Sequence, residues 1–229
     1  MAGASERTSW DVHNGRFTVA AGALAAAVLG LAWLALADLI VDRGGAPTAL
    51  DNAVLAFMVG HRYHLLTVLL AGITNAGGTL AMTVVTVVAS GWLVGRRQWG
   101  QAALVTVTGL GSAVLVPLTK GIVGRVRPPT GDHLVVQTNP AFPSGHTLGS
   151  FTVIGVVTAI ALMRPHTRRV RVAIAGAATL FVFAVGLSRL YLGVHWATDV
   201  IGGWLLGAAW LALCLTGGAL LARARVPSE

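Results

Sequence analysis

Residues 188–221 read SRLYLGVHWATDVIGGWLLGAAWLALCLTGGALL, and this stretch decides the class of fold. From Ala197 to Leu221 it is apolar except for Asp199, and it exceeds the roughly 20 residues with which a helix crosses a hydrocarbon core. A charged side chain costs about 2.5–3.5 kcal/mol at the centre of a membrane span and less near its end. Asp199 is therefore a functional candidate at the start of a membrane-spanning helix.

The whole chain has the composition of a membrane protein. Of its 229 residues, 55% are hydrophobic and only 10% are charged, whereas a soluble domain averages about 25% charged residues. Six apolar stretches approach or exceed the length of a membrane span. They are Phe17–Ile40, Ala76–Gly95, Gln101–Lys120, Gly145–Met163, Val172–Leu190 and Ala197–Leu221. The sequence therefore predicts an all-α, polytopic membrane bundle with six transmembrane helices.

The segment Pro47–Asn75 departs from this pattern, because charged and histidine side chains interrupt apolar runs that are too short to cross a membrane. We expect one or two amphipathic helices that lie at the membrane interface; a re-entrant segment is the alternative. Together with the six spans, this segment belongs to a single domain over 17–222. Polar cytoplasmic tails are expected at 1–16 and 223–229.

The net charge of +8 raises the question of a nucleic-acid partner, but the sequence contains no nucleic-acid recognition motif. The cations lie between apolar spans, where the positive-inside rule and anionic headgroups account for most of them. Six spans put both termini on one side of the membrane, and that side collects most of the arginines, including Arg96, Arg97 and Arg164. We therefore expect a multi-pass plasma-membrane protein with cytoplasmic termini and no nucleic-acid partner.

A first polar cluster, Lys120 with Arg127-Pro128, lies at the exit of the third span. Arginine presents a planar fork of donors that matches phosphate oxygens, and lysine adds a compact positive charge. Alternatively, both cations snorkel toward lipid headgroups and bind no substrate. Arg125, between them, either assists or is an ordinary interfacial arginine.

A second cluster, Pro143-Ser144-Gly145-His146, opens the fourth span. Serine favours the N-cap of a helix, and the free N–H groups at a helix N-terminus bind anions with the help of the helix dipole. Gly145 lets a phosphate approach the backbone closely, and His146 lies within the first turn beside the same place. The simpler alternative is that this turn only starts the span.

A third cluster, Ser188-Arg189 with His195 and Asp199, connects the fifth and sixth spans. His195 and Asp199 are four residues apart, so they share one face of a helix. A carboxylate beside an imidazole fixes its tautomer and stabilises a positive charge on it. Arg189 precedes His195 by a short turn and can return to the same pocket. Alternatively, His195 and Asp199 only complement the positive N-terminus of the sixth span.

In this topology all three clusters fall on the membrane face opposite the termini. Their patterns are Lys-x6-Arg-Pro, Pro-Ser-Gly-His and Ser-Arg-x5-His-x3-Asp, in that order over Lys120–Asp199. The combination resembles the type 2 phosphatidic acid phosphatase (PAP2) superfamily, which also includes vanadium-dependent haloperoxidases and bacterial acid phosphatases. The six spans are similar to those of its integral-membrane lipid phosphatases, so the resemblance implies a PAP2/haloperoxidase-like helical core.

The resemblance also implies a role for each residue. His195 would be the nucleophile that forms a phosphohistidine, and Asp199 would hold and polarise it. His146 would protonate the leaving oxygen and then activate water. The phosphoryl oxygens would be bound by Lys120, Arg127, Arg189, Ser144 and the backbone N–H of Gly145. No metal or other cofactor is implied.

These features favour a phosphatase that hydrolyses a lipid phosphate monoester, such as phosphatidic acid or phosphatidylglycerophosphate, at the outer membrane face. A phosphatase of undecaprenyl or another polyprenyl diphosphate is the alternative, because the same motifs serve both substrates. A vanadium haloperoxidase and a six-span transporter without chemistry are further alternatives from other classes. The sequence does not indicate an oligomeric state.

Overall fold

In the computed structural model of the protein, residues 9–224 are described, with side chains from Val19 onward. This part of the chain contains eight α-helices, one 3₁₀ turn at Thr130–Asp132 and no strand. The helices are α1 (Ser9–Asp42), α2 (Ala49–Gly60), α3 (His64–Ala76), α4 (Thr79–Gly95), α5 (Trp99–Val123), α6 (Gly145–Leu162), α7 (Arg168–Tyr191) and α8 (Ala197–Ala224). The predicted all-α fold is confirmed. Of the predicted tails, residues 1–8 and 225–229 lie outside the described residues.

Five of the described helices are long and apolar enough to cross a membrane, namely α1, α5, α6, α7 and α8. A sixth crossing requires α3 and α4 together, because these helices pass the same test only as a pair bent by 44°. Many outward-facing side chains are large and apolar, such as Leu80, Val88 and Leu180. Such a surface suits lipid tails as its surroundings.

The predicted second span, Ala76–Gly95, differs from the structure at its start, since α4 begins only at Thr79. Two glycines separate α3 from α4. Gly77 lies against α7 so closely that a Cβ atom there would overlap the methyl groups of Val185, and Gly78 is the N-cap of α4. The predicted interfacial segment therefore forms two helices, and the second one continues into α4 as a broken span or a re-entrant segment.

Helix α8 packs against α1, α5 and α6. Its close contact with the start of α6 depends on Gly203, where a Cβ atom would lie 2.8 Å from the carbonyl oxygen of Ser144 and 2.9 Å from Cβ of Thr147. This contact fixes the Pro143–His146 turn against the N-terminal part of α8. The sequence motif and the start of the last helix are thus held together by backbone packing.

The substitution Gly203→Val is expected to lower the apparent Tm in detergent by about 5 °C, because overpacking of this kind costs about 1–3 kcal/mol. Gly217→Val is the matched control on the same helix, since no atom lies within 4 Å of a Cβ atom at Gly217. Thermal unfolding of both variants measures the difference. Equal losses would show that helix propensity, not the contact with α6, determines the effect.

The two ends of the bundle differ in chemistry. Where α5 and α7 end and α6 and α8 begin, the buried side chains include many polar and charged groups. At the opposite end, Arg96 and Arg164 lie 5.9 Å and 4.8 Å from the ring centre of Trp92. An apolar cluster around Leu93 and Val105 lies inside that end. All three sequence clusters belong to the polar end.

Candidate active site

His195 lies in the short connection between α7 and α8, and Asp199 lies in the first turn of α8. Nδ1 of His195 is 3.3 Å from Oδ2 of Asp199, and the N–H of Trp196 donates to the same oxygen at 2.8 Å. Nε2 of His195 is 3.2 Å from Nη1 of Arg127. A guanidinium is only a donor, so Nε2 is the acceptor and Nδ1 carries the proton that is donated to Asp199. The lone pair of Nε2 therefore faces the cations.

The three clusters converge on His195. Burial lowers the pKa of His195 well below its ordinary value, and the charges of four other site residues lower it further. These residues are Arg127, Arg189, Lys120 and His146. Each must lie within electrostatic range of the imidazole to act on it. The His195 ring is therefore neutral near neutral pH, which is the form that a nitrogen nucleophile needs.

Because the His195 imidazole stays neutral when the protein is folded, the stability of the folded protein depends on pH. Below about pH 6.5 the unfolded chain binds a proton at His195 that the folded chain excludes. The free energy of unfolding therefore decreases as the pH is lowered, by up to about 1.4 kcal/mol per pH unit. The variant His195→Gln lacks this proton site. It is expected to lose less stability than the wild type between about pH 7 and about pH 5.5, as measured by thermal unfolding in detergent. Equal losses would contradict a neutral, buried imidazole.

Two of the cations are held by the loop that precedes α6. Nζ of Lys120 donates to the carbonyl oxygen of Pro140 and, at 3.3 Å, to that of Ala141, which leaves one of its three N–H bonds for another acceptor. Arg127 donates from Nε to the carbonyl oxygen of Asn139 at 2.7 Å and from Nη2 to its side-chain oxygen at 2.6 Å. Residues 139–141 thus hold both cations, and Arg127 lies beside His195.

Arg189 is a second cation of the site with free donors. Its side chain is almost fully buried, and Nη1 donates to Oγ1 of Thr74 at 2.9 Å. Its Nε and Nη2 atoms are buried and have no hydrogen-bond partner among the described residues. The hydroxyls of Ser144 and Thr147 are buried and unpaired in the same way. Because an unpaired buried charge is costly, this arrangement fits a site for an anion.

The Pro143–His146 turn begins α6 at Gly145, where the sequence predicts it. Ser144 is the N-cap, but its side chain makes no capping hydrogen bond; its backbone N–H donates to the carbonyl oxygen of Asp199 at 3.0 Å. The hydroxyl is thereby left for another partner. Gly145 has a packing role as well, because a Cβ atom there would lie 2.9 Å from Cγ1 of Val116.

His146 lies against the break between α3 and α4. A Cβ atom at Gly78 would be 3.4 Å from Nε2 of His146. The segment Pro47–Asn75, expected to lie at the interface or to be re-entrant, reaches the site through Thr74, which accepts from Arg189. Gly78, just after this segment, lies next to His146. The hydrophobic pattern of the segment gave no sign of this proximity, because these contacts join helices far apart in the sequence.

Arg125 and Asp51 also lie at the site. Arg125 is fully buried and bonded to both Asp51 and Asp199 at 2.7 Å, so its interpretation as an ordinary interfacial arginine is wrong. For Asp51 the sequence offered one signal, a carboxylate within the apolar run of α2. A local capping box with Thr48 accounts for that signal equally well.

A cavity of about 450 Å³ opens between α4, α5 and α6 and reaches Gly145. Its wall is mainly apolar. Lining residues include Met82, Val87, Leu110, Val116, Gly145 and Val153. An elongated apolar group could lie here with its polar end at the Pro143–His146 turn.

Apolar helices that hold two imidazoles and three cations at one end define a membrane-embedded enzyme of phosphoryl transfer. The family model described as the PAP2 superfamily matches residues 100–220, and the chain belongs to this superfamily.

The chain is also similar to curated relatives and to a solved structure. Phosphatidylglycerophosphatase B of Bacillus subtilis is 31% identical over 163 residues, which are 69% of this chain and 77% of that protein. Undecaprenyl-diphosphatase of Sulfolobus acidocaldarius is 36% identical over 104 residues, 43% of this chain and 46% of that protein.

The crystal structure of a transmembrane PAP2 type phosphatidylglycerolphosphate phosphatase from Bacillus subtilis has a TM-score of 0.74 to this chain at 26% identity. The match covers 89% of this chain and 98% of that one. The expectation of a multi-pass membrane protein is therefore confirmed.

Proposed function

We propose that this protein is a lipid phosphatase that hydrolyses a phosphate monoester, such as phosphatidic acid or phosphatidylglycerophosphate, through a phosphohistidine. The chain is a phosphoric ester hydrolase, because the members of the PAP2 superfamily to which it is similar are phosphatases. The observation that supports a phosphate as the bound group is the buried Arg189, whose Nε and Nη2 atoms have no partner among the described residues. The hydroxyl of Ser144 is buried and unpaired as well. The apolar cavity that reaches Gly145 supports a lipid as the rest of the substrate.

In the first step, the Nε2 lone pair of His195 forms a bond to phosphorus while the bond from phosphorus to the ester oxygen breaks. Asp199 accepts the Nδ1–H bond and stabilises the positive charge that develops on the imidazole. Arg127, whose Nη1 atom lies 3.2 Å from Nε2, moves its donors to the phosphoryl oxygens as these arrive. His146 gives its proton to the ester oxygen, which leaves as the lipid alcohol.

In the second step, His146 takes a proton from water, and the water oxygen attacks the phosphorus of the phosphohistidine. The bond from phosphorus to Nε2 breaks, its electron pair returns to His195, and phosphate is released. Lys120 and Arg189, with the hydroxyl of Ser144 and the N–H of Gly145, bind the phosphoryl oxygens in both steps. Their charge stabilises the transition state, where positioning and electrostatics carry most of the catalysis.

The proposal includes a topology in which the single domain over 17–222 holds the site at the outer face and both tails lie in the cytoplasm. The distribution of arginines supports this direction, because Arg96 and Arg164 lie together at the end of the bundle that is opposite the site. Cationic residues accumulate on the cytoplasmic side of membrane proteins. The substrate would enter sideways from the outer leaflet.

A polyprenyl diphosphate is the second candidate substrate. It is favoured by the similarity to undecaprenyl-diphosphatase of Sulfolobus acidocaldarius over 104 residues. A panel of pure lipids in detergent separates the two functions by released phosphate. We expect the largest kcat/KM with a glycerolipid monophosphate; a larger kcat/KM with undecaprenyl diphosphate would establish the second function, and no release from any lipid would contradict both.

Additional assays on the same protein separate the phosphatase from the haloperoxidase and transporter alternatives. A phosphatase with this site is inhibited by vanadate, which resembles phosphate, and oxidises no halide. Halide oxidation in the presence of vanadate and peroxide would instead establish a haloperoxidase, and transport without any phosphate release would establish a transporter.

Chelation is expected to leave the rate unchanged, because cations and histidines supply the charge at the site. Among the side chains that the structure describes, from Val19 to Ala224, no group of three or more histidine, cysteine or acidic residues is arranged to hold a metal ion. Phosphate release before and after dialysis against EDTA measures the effect. A loss that added divalent metal restores would contradict the proposed mechanism.

A further inference from the structure

A second charged group lies directly behind the His195–Asp199 pair. The Arg125 guanidinium joins two carboxylates from different helices, donating from Nη1 to Oδ1 of Asp199 at 2.7 Å and from Nη2 to Oδ2 of Asp51 at 2.7 Å. All three side chains have no exposed surface. The mechanism above uses Asp199 but neither Arg125 nor Asp51.

Asp51 binds the start of α8 as well as Arg125. Its Oδ1 atom accepts the backbone N–H of Thr198 and the hydroxyl of Thr198, both at 2.9 Å, so a carboxylate from α2 caps the N-terminus of α8. Burial alone would raise the pKa of Asp51, but the N–H groups of Thr198 and Thr48 and the Arg125 guanidinium outweigh burial and keep that pKa below its ordinary value. Asp51 is therefore ionised.

The two oxygens of Asp199 have separate partners. Oδ1 accepts from Arg125, while Oδ2 accepts from Nδ1 of His195 and from the N–H of Trp196. The bond to Arg125 prevents rotation of the carboxylate, so Oδ2 stays directed at the imidazole. Asp51 has a different effect: it balances the charge of Arg125, and Asp199 therefore keeps a net negative potential beside His195.

We propose that Arg125 and Asp51 are positioning residues, which hold Asp199 in the orientation that fixes the Nδ1–H tautomer of His195 and preserve its negative potential there. This role rests on the proposed function, in which His195 is the nucleophile. An arginine is required because its fork reaches two carboxylates at once, whereas the single ammonium of lysine cannot replace both bonds. The same contacts attach α2 to the reacting residues.

The substitution Asp51→Asn tests the electrostatic part. Asparagine keeps the size and one oxygen acceptor for Thr198 but leaves the charge of Arg125 balanced by Asp199 alone. We expect kcat to fall about tenfold with KM within about twofold, because the weakened potential affects the transition state and not substrate binding. Asp42→Asn, the same change at an exposed carboxylate, should match the wild type.

The double variant Asp51→Asn/Arg125→Gln tests positioning apart from folding. It removes one negative and one positive charge, so the net charge of the buried group is unchanged, while Asp199 loses the guanidinium that is bonded to its Oδ1 atom. If the pair serves the fold alone, kcat per folded molecule equals that of the wild type, and the proposal is overturned. If the pair positions Asp199, kcat of the double variant stays at least about tenfold lower than that of the wild type. The single variant Arg125→Lys should then also have a lowered kcat.

The tautomer of His195 gives a readout that does not depend on activity. In protein labelled with ¹⁵N-histidine, the signals that vanish in His195→Gln belong to this residue. We expect one protonated and one unprotonated nitrogen in the wild type and a mixture of tautomers in the double variant; an unchanged spectrum would overturn the proposal. If the wild type hydrolyses no lipid, the proposed function fails, while this spectrum still decides the role of Arg125.

Discussion

Replacement of His195 by alanine is expected to lower kcat by at least about 10⁴-fold, which is the scale of loss when a catalytic nucleophile is removed. The imidazole lies where its neutral Nε2 atom faces the cations and its Nδ1 atom is held by Asp199. The remaining groups can still bind a phosphate, but they cannot form the covalent intermediate. Phosphate release from phosphatidylglycerophosphate in detergent measures the loss.

The control is His61→Ala, because His61 is exposed and lies at the end of α2. Its ring contacts the carbonyl oxygen and the ring of Phe57, one turn earlier on the same helix. Rapid quenching of the wild type with labelled substrate should also trap a phosphoenzyme that is labile in acid and stable in base, as phosphohistidine is. His195→Ala should trap none. A variant that keeps more than about 1% of the wild-type rate would refute the role of His195 as the nucleophile.

The parts of the site that are local in the sequence could be predicted, and the parts made by distant contacts could not. The spacing of His195 and Asp199 follows from the geometry of one helix start, and the length of each apolar run predicts where Gly145 and Ala197 open their helices. These relations need only a few consecutive residues.

The partners of the site arginines are of the other kind. Asp51 lies 74 positions from Arg125, and Thr74 lies 115 positions from Arg189. Asp51 belongs to α2 and Thr74 to α3. Polar residues within the short apolar runs of these helices fit an interfacial segment as well as they fit a part of the site. Only the packing of α2 and α3 against α7 and α8 brings them to the site.

The two buried arginines are expected to respond in opposite ways to substitution by methionine. Arg189→Met should lower kcat/KM by about 10³-fold, the lower end of the contribution that an arginine makes to phosphoryl transfer. The folded protein, however, should lose little, because two donors of Arg189 have no partner among the described residues and each unsatisfied buried group costs about 1–3 kcal/mol. We therefore expect an apparent Tm equal to or above that of the wild type.

Arg125→Met provides the comparison, because it is the same change at an equally buried guanidinium in which every nitrogen donates at least one hydrogen bond. It leaves two buried carboxylates without their shared cation, and the loss of one partner of a buried pair costs about 3–5 kcal/mol. The apparent Tm should fall by about 10 °C. A site residue that can be replaced without loss of stability is one whose charge binds the substrate and does not stabilise the fold. A decrease in Tm for Arg189→Met as large as that for Arg125→Met would therefore mean that Arg189 stabilises the fold and does not bind the phosphate.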